Sequence, residues 1–182
     1  FAGLSLLSLV VLMACGEEET KKTQAPQQSP KQQQQTPVQQ IAVGKEAPDF
    51  TLQSMDGKEV KLSDYKGKKV YLKFWASWCP ICLAGLADIN QLADMPPKDA
   101  VVLTVIAPGV NREKNLDDFK EWFSGLDYKT LPVLVDNNGQ FLKKLGIVGY
   151  PSSAFIDANG KVVRVQPGHV TNEDIVKTLE TL

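Results

Sequence analysis

Two kinds of apolar pattern alternate along residues 41–182. Short apolar runs, continuous or alternating with polar residues, predict strands, and apolar residues at helical spacing predict amphipathic helices. The predicted strands cover 47–52, 60–62, 70–74, 101–107, 132–135, 153–157 and 161–166. The predicted helices cover 80–95, 115–124, 141–145 and a last segment that opens at a capping pair, Thr171 and Asp174. This order predicts an α/β fold with a mixed central sheet flanked by helices and with two extra strands at its N-terminal end.

The first 40 residues lack this pattern. Residues 1–14 are mostly apolar, which is typical of the hydrophobic region of a signal peptide, but too few to cross a bilayer as a helix of roughly 20 residues. Cys15 ends the run Leu-Met-Ala-Cys, which resembles a bacterial lipobox and implies that Cys15 is lipidated after cleavage. The alternatives are an ordinary signal peptide cut near Ala14 and an uncleaved anchor. Because no initiator Met and no basic stretch precede the apolar run, we expect the chain to lack its first residues.

Residues 15–40 predict a tether between the lipid-attachment cysteine and the folded domain. After Cys15 they are rich in Gln and Pro and contain no aromatic residue, so they cannot bury enough surface to fold. A flexible chain of this length has an r.m.s. span of about 25–30 Å. We therefore expect a disordered tether over 15–40 and a single folded domain over 41–182.

Composition narrows the function of this domain. The chain has a formal net charge of -1 and no basic run, so its charge gives no reason to expect nucleic-acid binding. It has three cysteines, and once Cys15 carries a lipid only Cys79 and Cys82 remain, too few for a structural disulfide framework. A structural zinc site needs four ligands, whereas His169 is the only histidine. We expect no metal and no bound cofactor, and a redox function for the Cys79–Cys82 pair.

The position of Cys79 and Cys82 favours that function. They lie directly after a predicted strand and at the start of a predicted helix, and Pro80 suits the first helical position, where no N–H is needed. Free N–H groups and the helix dipole favour a thiolate at a helix N-terminus. Helical spacing leaves Cys79 at the exposed tip and puts Cys82 on a packed stripe with Leu86, Ile89 and Ala93. We expect an exposed attacking sulfur and a buried resolving sulfur that make and break one disulfide.

Four motifs resemble those of one known family. They are A-P-D-F at 47–50, F-W-A-S-W-C-P-I-C at 74–82, G-Y-P-S at 149–152 and F-I-D-x-x-G at 155–160. Together they resemble the extracytoplasmic thioredoxin-like proteins of the TlpA/ResA-like group, over nearly all of residues 44–180. The segments 73–79 and 119–133 are similar to one branch, the thioredoxin-like domain associated with surface methionine sulfoxide reductases. The resemblance implies a thioredoxin fold.

The resemblance also implies roles for individual residues. The thiolate of Cys79 is expected to attack the disulfide of a partner, and Cys82 then attacks the mixed disulfide and releases the reduced partner. Pro151, preceded by Tyr150, matches the cis-proline of the family, which faces the disulfide and offers backbone hydrogen bonds to a bound substrate strand. An ordinary trans turn after Gly149 is the alternative for Pro151.

Other residues around the cysteines are candidates for docking and for tuning the thiols. Substrate docking is expected at a surface formed by Trp78, Pro80, Ile81 and Tyr150, whereas Trp75 suits either this surface or the core. Lys73 departs from the thioredoxin pattern, in which a buried Asp occupies this position. Our hypothesis is that Lys73 is catalytic because its charge lowers the pKa of Cys79 or Cys82. The alternative is a lysine whose stem packs in the core while its ammonium reaches solvent.

These observations predict an enzyme, a thiol-disulfide oxidoreductase that acts as a reductase outside the cytoplasm and is anchored to the cell membrane as a lipoprotein. Neither Pro80 nor Ile81 adds charge between the cysteines, which favours a reductant over a strong oxidant. The resemblance implies a CcdA/DsbD-type membrane thiol carrier as electron donor and an oxidised methionine sulfoxide reductase as client. We expect a monomer that binds no nucleic acid.

Four alternatives remain. An apocytochrome c thiol reductase has the same chemistry with another client, and a disulfide-forming oxidase or isomerase runs it in the other direction. A peroxidase is suggested by residues 47–50, which peroxiredoxins share, although their lone peroxidatic cysteine context is absent. A copper-binding module could use Cys79, Cys82 and His169, because soft thiolates suit Cu(I).

Overall fold

The computed structural model describes residues 43–182. Its strands are β1 (Thr51–Ser54), β2 (Glu59–Lys61), β3 (Lys69–Phe74), β4 (Ala100–Ile106), β5 (Val133–Val135), β6 (Ser152–Ile156) and β7 (Val162–Pro167). Its α-helices are α1 (Pro80–Ala84), α2 (Leu86–Asp94), α3 (Leu116–Ser124), α4 (Gln140–Lys144) and α5 (Asn172–Glu180). The predicted signal peptide over 1–14, lipidation at Cys15, the tether over 15–40 and the first two residues of the predicted domain lie outside the described residues.

All seven strands form one mixed sheet in the order β2-β1-β5-β4-β3-β6-β7. The central strands β3, β4 and β5 run parallel, and β1 and β6 join them antiparallel. At the end of β3, Phe74 pairs with Val105 on one side and with Ser152 on the other. The segment that follows β3 therefore lies between the end of β4 and the residues just before β6. The predicted α/β architecture with a mixed sheet and two extra N-terminal strands is confirmed.

The two faces of β3 pack against different parts of the core. Because side chains alternate along a strand, Val70, Leu72 and Phe74 face one side, and Tyr71 and Lys73 face the other. The first side packs with α4 residues such as Phe141, and the second packs with apolar residues of α1, α2, α3 and α5. Continuous apolar runs such as β3 are expected where both faces of a strand are covered. Lys73 is the charged exception in this strand interior.

The helix predicted over 80–95 is interrupted, which differs from the prediction. α1 ends and α2 begins at Gly85, whose N–H donates to the carbonyl of Cys82 at 3.2 Å, a contact of three residues instead of four. Gly85 is buried beneath His169 and Lys73 and has φ -96° and ψ 5°. Of the stripe predicted for this helix, Leu86 and Ile89 are buried and Ala93 is half-buried, and Leu92, which was not predicted, is buried as well. Among residues 43–182, no helix is long and apolar enough to cross a membrane.

Candidate functional site

Cys79 is the N-cap residue of α1. Its backbone is extended, with φ -90° and ψ 106°, and its Sγ accepts a hydrogen bond from the N–H of Cys82 at 3.2 Å. Pro80 occupies the first helical position, as predicted, where its missing N–H leaves no donor unsatisfied. Cys79 and Cys82 form a disulfide, and their Cα atoms are 5.2 Å apart. The local sequence thus folds so that one sulfur caps a helix and the other lies within its first turn.

The two cysteines differ less in exposure than the sequence predicts. Cys82 is fully buried, as predicted, but Cys79 is only 4% exposed, so the expectation of an exposed sulfur at Cys79 is wrong for the disulfide form. In this form the sulfur of Cys79 is bonded to Cys82 and belongs to the same apolar cluster as Trp75 and Ala76. An attacking partner must therefore approach through the surface that surrounds Cys79.

That surface is built by the residues predicted for docking. Trp78 is 38% exposed and Ile81 60% exposed, Pro80 is exposed, and Tyr150 is half-buried. The ring of Trp78 meets the ring of Tyr150 edge-on, with centroids 6.1 Å apart. We call Trp78, Pro80, Ile81 and Tyr150 the docking face. It joins the two segments, 74–82 and 149–152, that the sequence motifs single out.

Pro151 directly follows the docking face in the chain. The Tyr150–Pro151 peptide bond is cis, as the sequence predicts. Since Phe74 pairs with Ser152, Pro151 lies next to the segment that leads from β3 to Cys79. The carbonyl of Pro151 accepts a hydrogen bond from Gly168 at 2.8 Å. The sheet register therefore places Pro151 beside the start of the segment that carries the two cysteines.

Trp75 belongs to the core and not to the docking face. It is fully buried and packs against Phe119, Trp122 and Phe123, with ring centroids 5.7, 6.4 and 6.3 Å away. Its indole N–H has no hydrogen-bond partner among residues 43–182. Trp75 thus fixes the segment before Cys79 onto α3, and of its two predicted roles the core position is the one found.

Lys73 lies on the same face of β3 as Tyr71 and is only 1% exposed. Burial lowers the pKa of Lys73, and the negative charge of Asp88 opposes this in part. Its Nζ lies beside Gly85, 3.5 Å from the position that a Cβ would take there. The alternative of an ammonium that reaches solvent is wrong, because the strand position covers the whole side chain. The charge effect of Lys73 on the two thiols stays a hypothesis.

Glu113 is a site residue that the sequence did not predict. It is 5% exposed, and its carboxylate accepts hydrogen bonds from the N–H of Ser77 at 2.5 Å and from the hydroxyl of Ser77 at 2.6 Å. The N–H of Lys114 also donates to it at 2.6 Å. The predicted order of strands could have indicated this contact. Adjacent parallel strands end at the same edge of the sheet, so the loop after β4, which carries Glu113, must lie beside the loop after β3, which carries Ser77.

The same loop places a cation over the docking face. Asn111 and Arg112 both have positive φ, 48° and 66°, and the guanidinium of Arg112 lies 4.5 Å from the ring centroid of Trp78. This conformation is uncommon for a non-glycine residue such as Arg112, whereas Asn adopts it more readily. The next residue, Glu113, is bound to Ser77, which fixes the end of this turn. Arg112 is therefore held where it meets any partner of Trp78.

No part of residues 43–182 brings three His, Cys, Asp or Glu side chains together in a group that could hold a metal ion. In this disulfide form Cys79 and Cys82 are bonded to each other and are not grouped with His169. His169 lies in the exposed loop before α5, as expected for a loop residue. The two sulfurs are the redox-active groups of the site.

Comparisons with known proteins show the family of this chain. The Redoxin family model matches residues 42–182. The thiol-disulfide oxidoreductase ResA of Geobacillus thermodenitrificans is 38% identical over 143 residues, which cover 78% of this chain and 79% of that protein.

Two solved structures extend the similarity to the fold. The pneumococcal exposed lipoprotein thioredoxin Etrx1 of Streptococcus pneumoniae strain TIGR4 has a TM-score of 0.71 and 54% identity, and the match covers 74% of this chain and 99% of that one. The N-terminal domain of PilB from Neisseria gonorrhoeae has a TM-score of 0.65 and 35% identity, and the match covers 71% of this chain and 86% of that one. The predicted thioredoxin fold is therefore confirmed.

Proposed function

Because this chain belongs to the Redoxin family and is a thiol-disulfide oxidoreductase, we propose that it is a reductase tethered outside the cytoplasm. It passes electrons from a membrane thiol carrier to an exported client. The observation that carries the proposal is the Cys79–Cys82 disulfide at the N-terminus of α1, next to Trp78 and Pro80 of the docking face. The redox centre consists of the two sulfurs and needs no bound cofactor.

The chemistry proceeds by two exchanges. In the reduced protein, the thiolate of Cys79 attacks one sulfur of a client disulfide, forms a mixed disulfide and expels the other client sulfur as a thiolate. Cys82 then attacks Cys79, which forms the Cys79–Cys82 bond and releases the second client sulfur. Two electrons pass to the client, and its two thiolates each take up a proton. The N–H of Cys82, 3.2 Å from the Cys79 sulfur in the disulfide form, is placed to donate to the thiolate.

Two features around the cysteines support the reducing direction. A strong oxidant stabilises its thiolate with nearby positive charge, whereas Pro80 and Ile81, the residues between the cysteines, carry none. Lys73 is a candidate cation in β3, and burial lowers its pKa, which weakens that charge.

The client is proposed to be an exported protein with an accessible disulfide, with oxidised methionine sulfoxide reductase first and apocytochrome c second. An extended client segment would lie across the docking face, with its backbone against Pro151 and its side chains against Trp78 and Ile81. Support for the location comes from the similar Streptococcus pneumoniae protein, which is named an exposed lipoprotein, and from the lipobox-like run that ends at Cys15. A CcdA/DsbD-type carrier is the proposed donor.

Trapping tests the proposal in cells. In a Cys82→Ser variant the second exchange is blocked, so clients should stay linked to Cys79 as mixed disulfides that reductant releases. Cys79→Ser is the matched control, because Cys82 is buried and should trap nothing. Recovery of methionine sulfoxide reductase, specific to Cys82→Ser, supports the proposed client. Equal recovery from both variants, or none from Cys82→Ser, contradicts the proposal.

A further inference from the structure

We infer that the docking face continues into two oppositely charged subsites, which select a client with an acidic residue on one side of its reactive cysteine and a basic residue on the other. Arg112 provides the cationic subsite and Asp88 the anionic one. Both side chains are exposed, and among residues 43–182 neither forms an ion pair. The inference rests on the proposed function and specifies its client.

The sheet places the two subsites at opposite ends of the site. The strands β4, β3, β6 and β7 are neighbours in that order. The loop after β4 carries Arg112, and the loop after β3 carries Cys79. Pro151 precedes β6, and His169 follows β7. Because β4 is parallel to β3, and β6 is antiparallel to both β3 and β7, these four residues lie at one edge of the sheet. The cysteines and Pro151 therefore lie between Arg112 and His169.

The spacing of the strands sets the distance between the subsites. Neighbouring strands are about 4.8 Å apart, so the loops after β4 and β7 are separated by about 14 Å. An extended client segment rises about 3.3 Å per residue, so about four residues cover this distance. The client cysteine meets Cys79, which follows β3. The acidic residue should therefore lie about two positions from the client cysteine, and the basic residue about three positions on the other side.

The cationic subsite is in place before a client binds. The guanidinium of Arg112 lies 4.5 Å from the ring centroid of Trp78, which belongs to the docking face. The next residue, Glu113, is buried and is bound to Ser77 by two hydrogen bonds, so the end of this loop is fixed. A guanidinium binds a carboxylate through two parallel hydrogen bonds. An acidic client residue beside Trp78 can therefore bind Arg112 without rearranging the loop.

The anionic subsite is an open cavity of about 190 Å³ that shares Ile81 with the docking face. Ile81, Ala84, Gly85 and Asp88 recur at helical spacing along α1 and α2 and form one wall, and His169 forms the other. Gly85 keeps the cavity open, because a Cβ there would stand 3.2 Å from the Cε1 atom of His169. An apolar wall that ends in a carboxylate suits the aliphatic stem and the cationic end of Lys or Arg.

Asp88 determines the sign of the charge in this cavity. Within the described part of the chain, it is the only Asp, Glu, Lys or Arg that lines the cavity. The ammonium of Lys73 lies beside the cavity floor, but its side chain is 1% exposed, and burial lowers its pKa, which weakens its charge. Arg164, Asp174 and Lys177 line a different cavity, between β7 and α5. A client cation in the first cavity therefore meets a carboxylate.

Symmetric disulfides of short peptides with a single cysteine test this inference, because both sulfurs of such a substrate are equivalent. One peptide has Glu about two positions before the cysteine and Lys about three positions after it, a second has the same charges in reverse order, and a third has Gln at both places. Each is mixed with the reduced protein at low ionic strength and slightly alkaline pH, where an imidazole ordinarily carries no charge. Chromatography of acid-quenched samples gives the rates. We expect one charged order to be reduced about three- to tenfold faster than the neutral peptide, and the other order to gain little.

Variants assign this preference to the two subsites. Asp88→Asn should remove the advantage of Lys over Gln in the client, a factor of about two to five, and Asp88→Lys should reverse it in favour of Glu. Asp117→Asn on the exposed side of α3 is the matched control and should keep the full preference. Equal rates for the two charged orders, or a preference for Lys that survives Asp88→Lys, overturn the inference. A wild-type protein that does not reduce even the neutral peptide contradicts the proposed function instead.

Discussion

The backbone N–H and the hydroxyl of Ser77 both bind the buried carboxylate of Glu113, at 2.5 and 2.6 Å. Ser77 lies two residues before Cys79, and Glu113 lies in the loop after β4. These two hydrogen bonds connect the segment that carries Cys79 to the loop that carries Arg112. The position of the Cys79 sulfur and the shape of the docking face therefore depend on the same contact.

Replacing this carboxylate should loosen both segments. Glu113→Ala leaves two buried donors of Ser77 without an acceptor, so we expect the free energy of unfolding to fall by about 2–4 kcal/mol. Reduction of a protein disulfide should slow at the same time, because Cys79 and Arg112 lose their support. Denaturant unfolding and insulin reduction measure the two effects. Glu121→Ala on the exposed side of α3 is the control, and an equal effect of both variants would show that the Ser77 contact is unimportant.

Arg112 should select clients by charge. Its guanidinium covers Trp78 on the docking face, so an acidic residue next to a client disulfide should be attracted to it. We expect Arg112→Ala to slow the reduction of a peptide disulfide flanked by Asp or Glu by about three- to tenfold at low ionic strength, and much less at high ionic strength. A neutral peptide of equal length should be affected little. Arg164→Ala, which removes a cation over Phe155, serves as the control.

Lys73 should make stability depend on pH. Its pKa is lowered in the folded protein from the ordinary 10.5, so the unfolded chain binds more protons, and the free energy of unfolding should rise as pH increases towards about 10. Above that pH, Tyr71 should reverse the trend, because its pKa is raised to about 12 when folded. Lys73→Met should remove the rise and stabilise the protein at neutral pH by about 1–4 kcal/mol. Denaturant titrations at several pH values measure this dependence. If the free energy of unfolding rises with pH as steeply in Lys73→Met as in the wild type, other groups cause the rise.

The aromatic cluster around Trp75 should set the stability of the site. Phe119 is fully buried, with ring centroids 5.7 Å from Trp75 and 5.8 Å from Phe123. Phe119→Ala should cost about 3–5 kcal/mol of unfolding free energy, because it leaves a cavity under the segment that leads to Cys79. Chemical denaturation measures the loss. Phe119→Leu should cost much less, and an equal loss in both variants would argue against a cavity effect.

The strands and helices could be predicted because their signals are local. The apolar run of β3, the Thr171 cap of α5 and the turn residues between β6 and β7 each determine a few neighbouring residues, and the structure places these elements where the sequence predicts them. The interruption falls at Gly85, and a glycine inside a helical pattern is itself a local signal that weakens the helix prediction. The sequence does not show which groups lie against this glycine: a Cβ there would meet Lys73 and His169, which come from β3 and from the loop before α5.

Only those site residues that belong to short sequence motifs could be predicted. Cys79, Cys82 and the cis bond before Pro151 belong to short motifs, and the structure has both the disulfide and the cis bond. Glu113 belongs to no motif, and an isolated Glu in a polar loop ordinarily faces solvent. Its burial follows from the distant Ser77, a contact that neither periodicity nor composition reveals. The burial of Cys79 likewise depends on the packing around it, which helical spacing alone does not describe.

The reduction potential of the Cys79–Cys82 pair tests the central claim most directly. The protein is equilibrated with glutathione buffers of graded potential, and the oxidised and reduced forms are separated after the thiols have been alkylated. A reductase should have a potential near that of thioredoxin, about -270 mV, and below about -200 mV. A value near about -120 mV, typical of a strong oxidant, would contradict the account, as would a pair that glutathione can neither oxidise nor reduce.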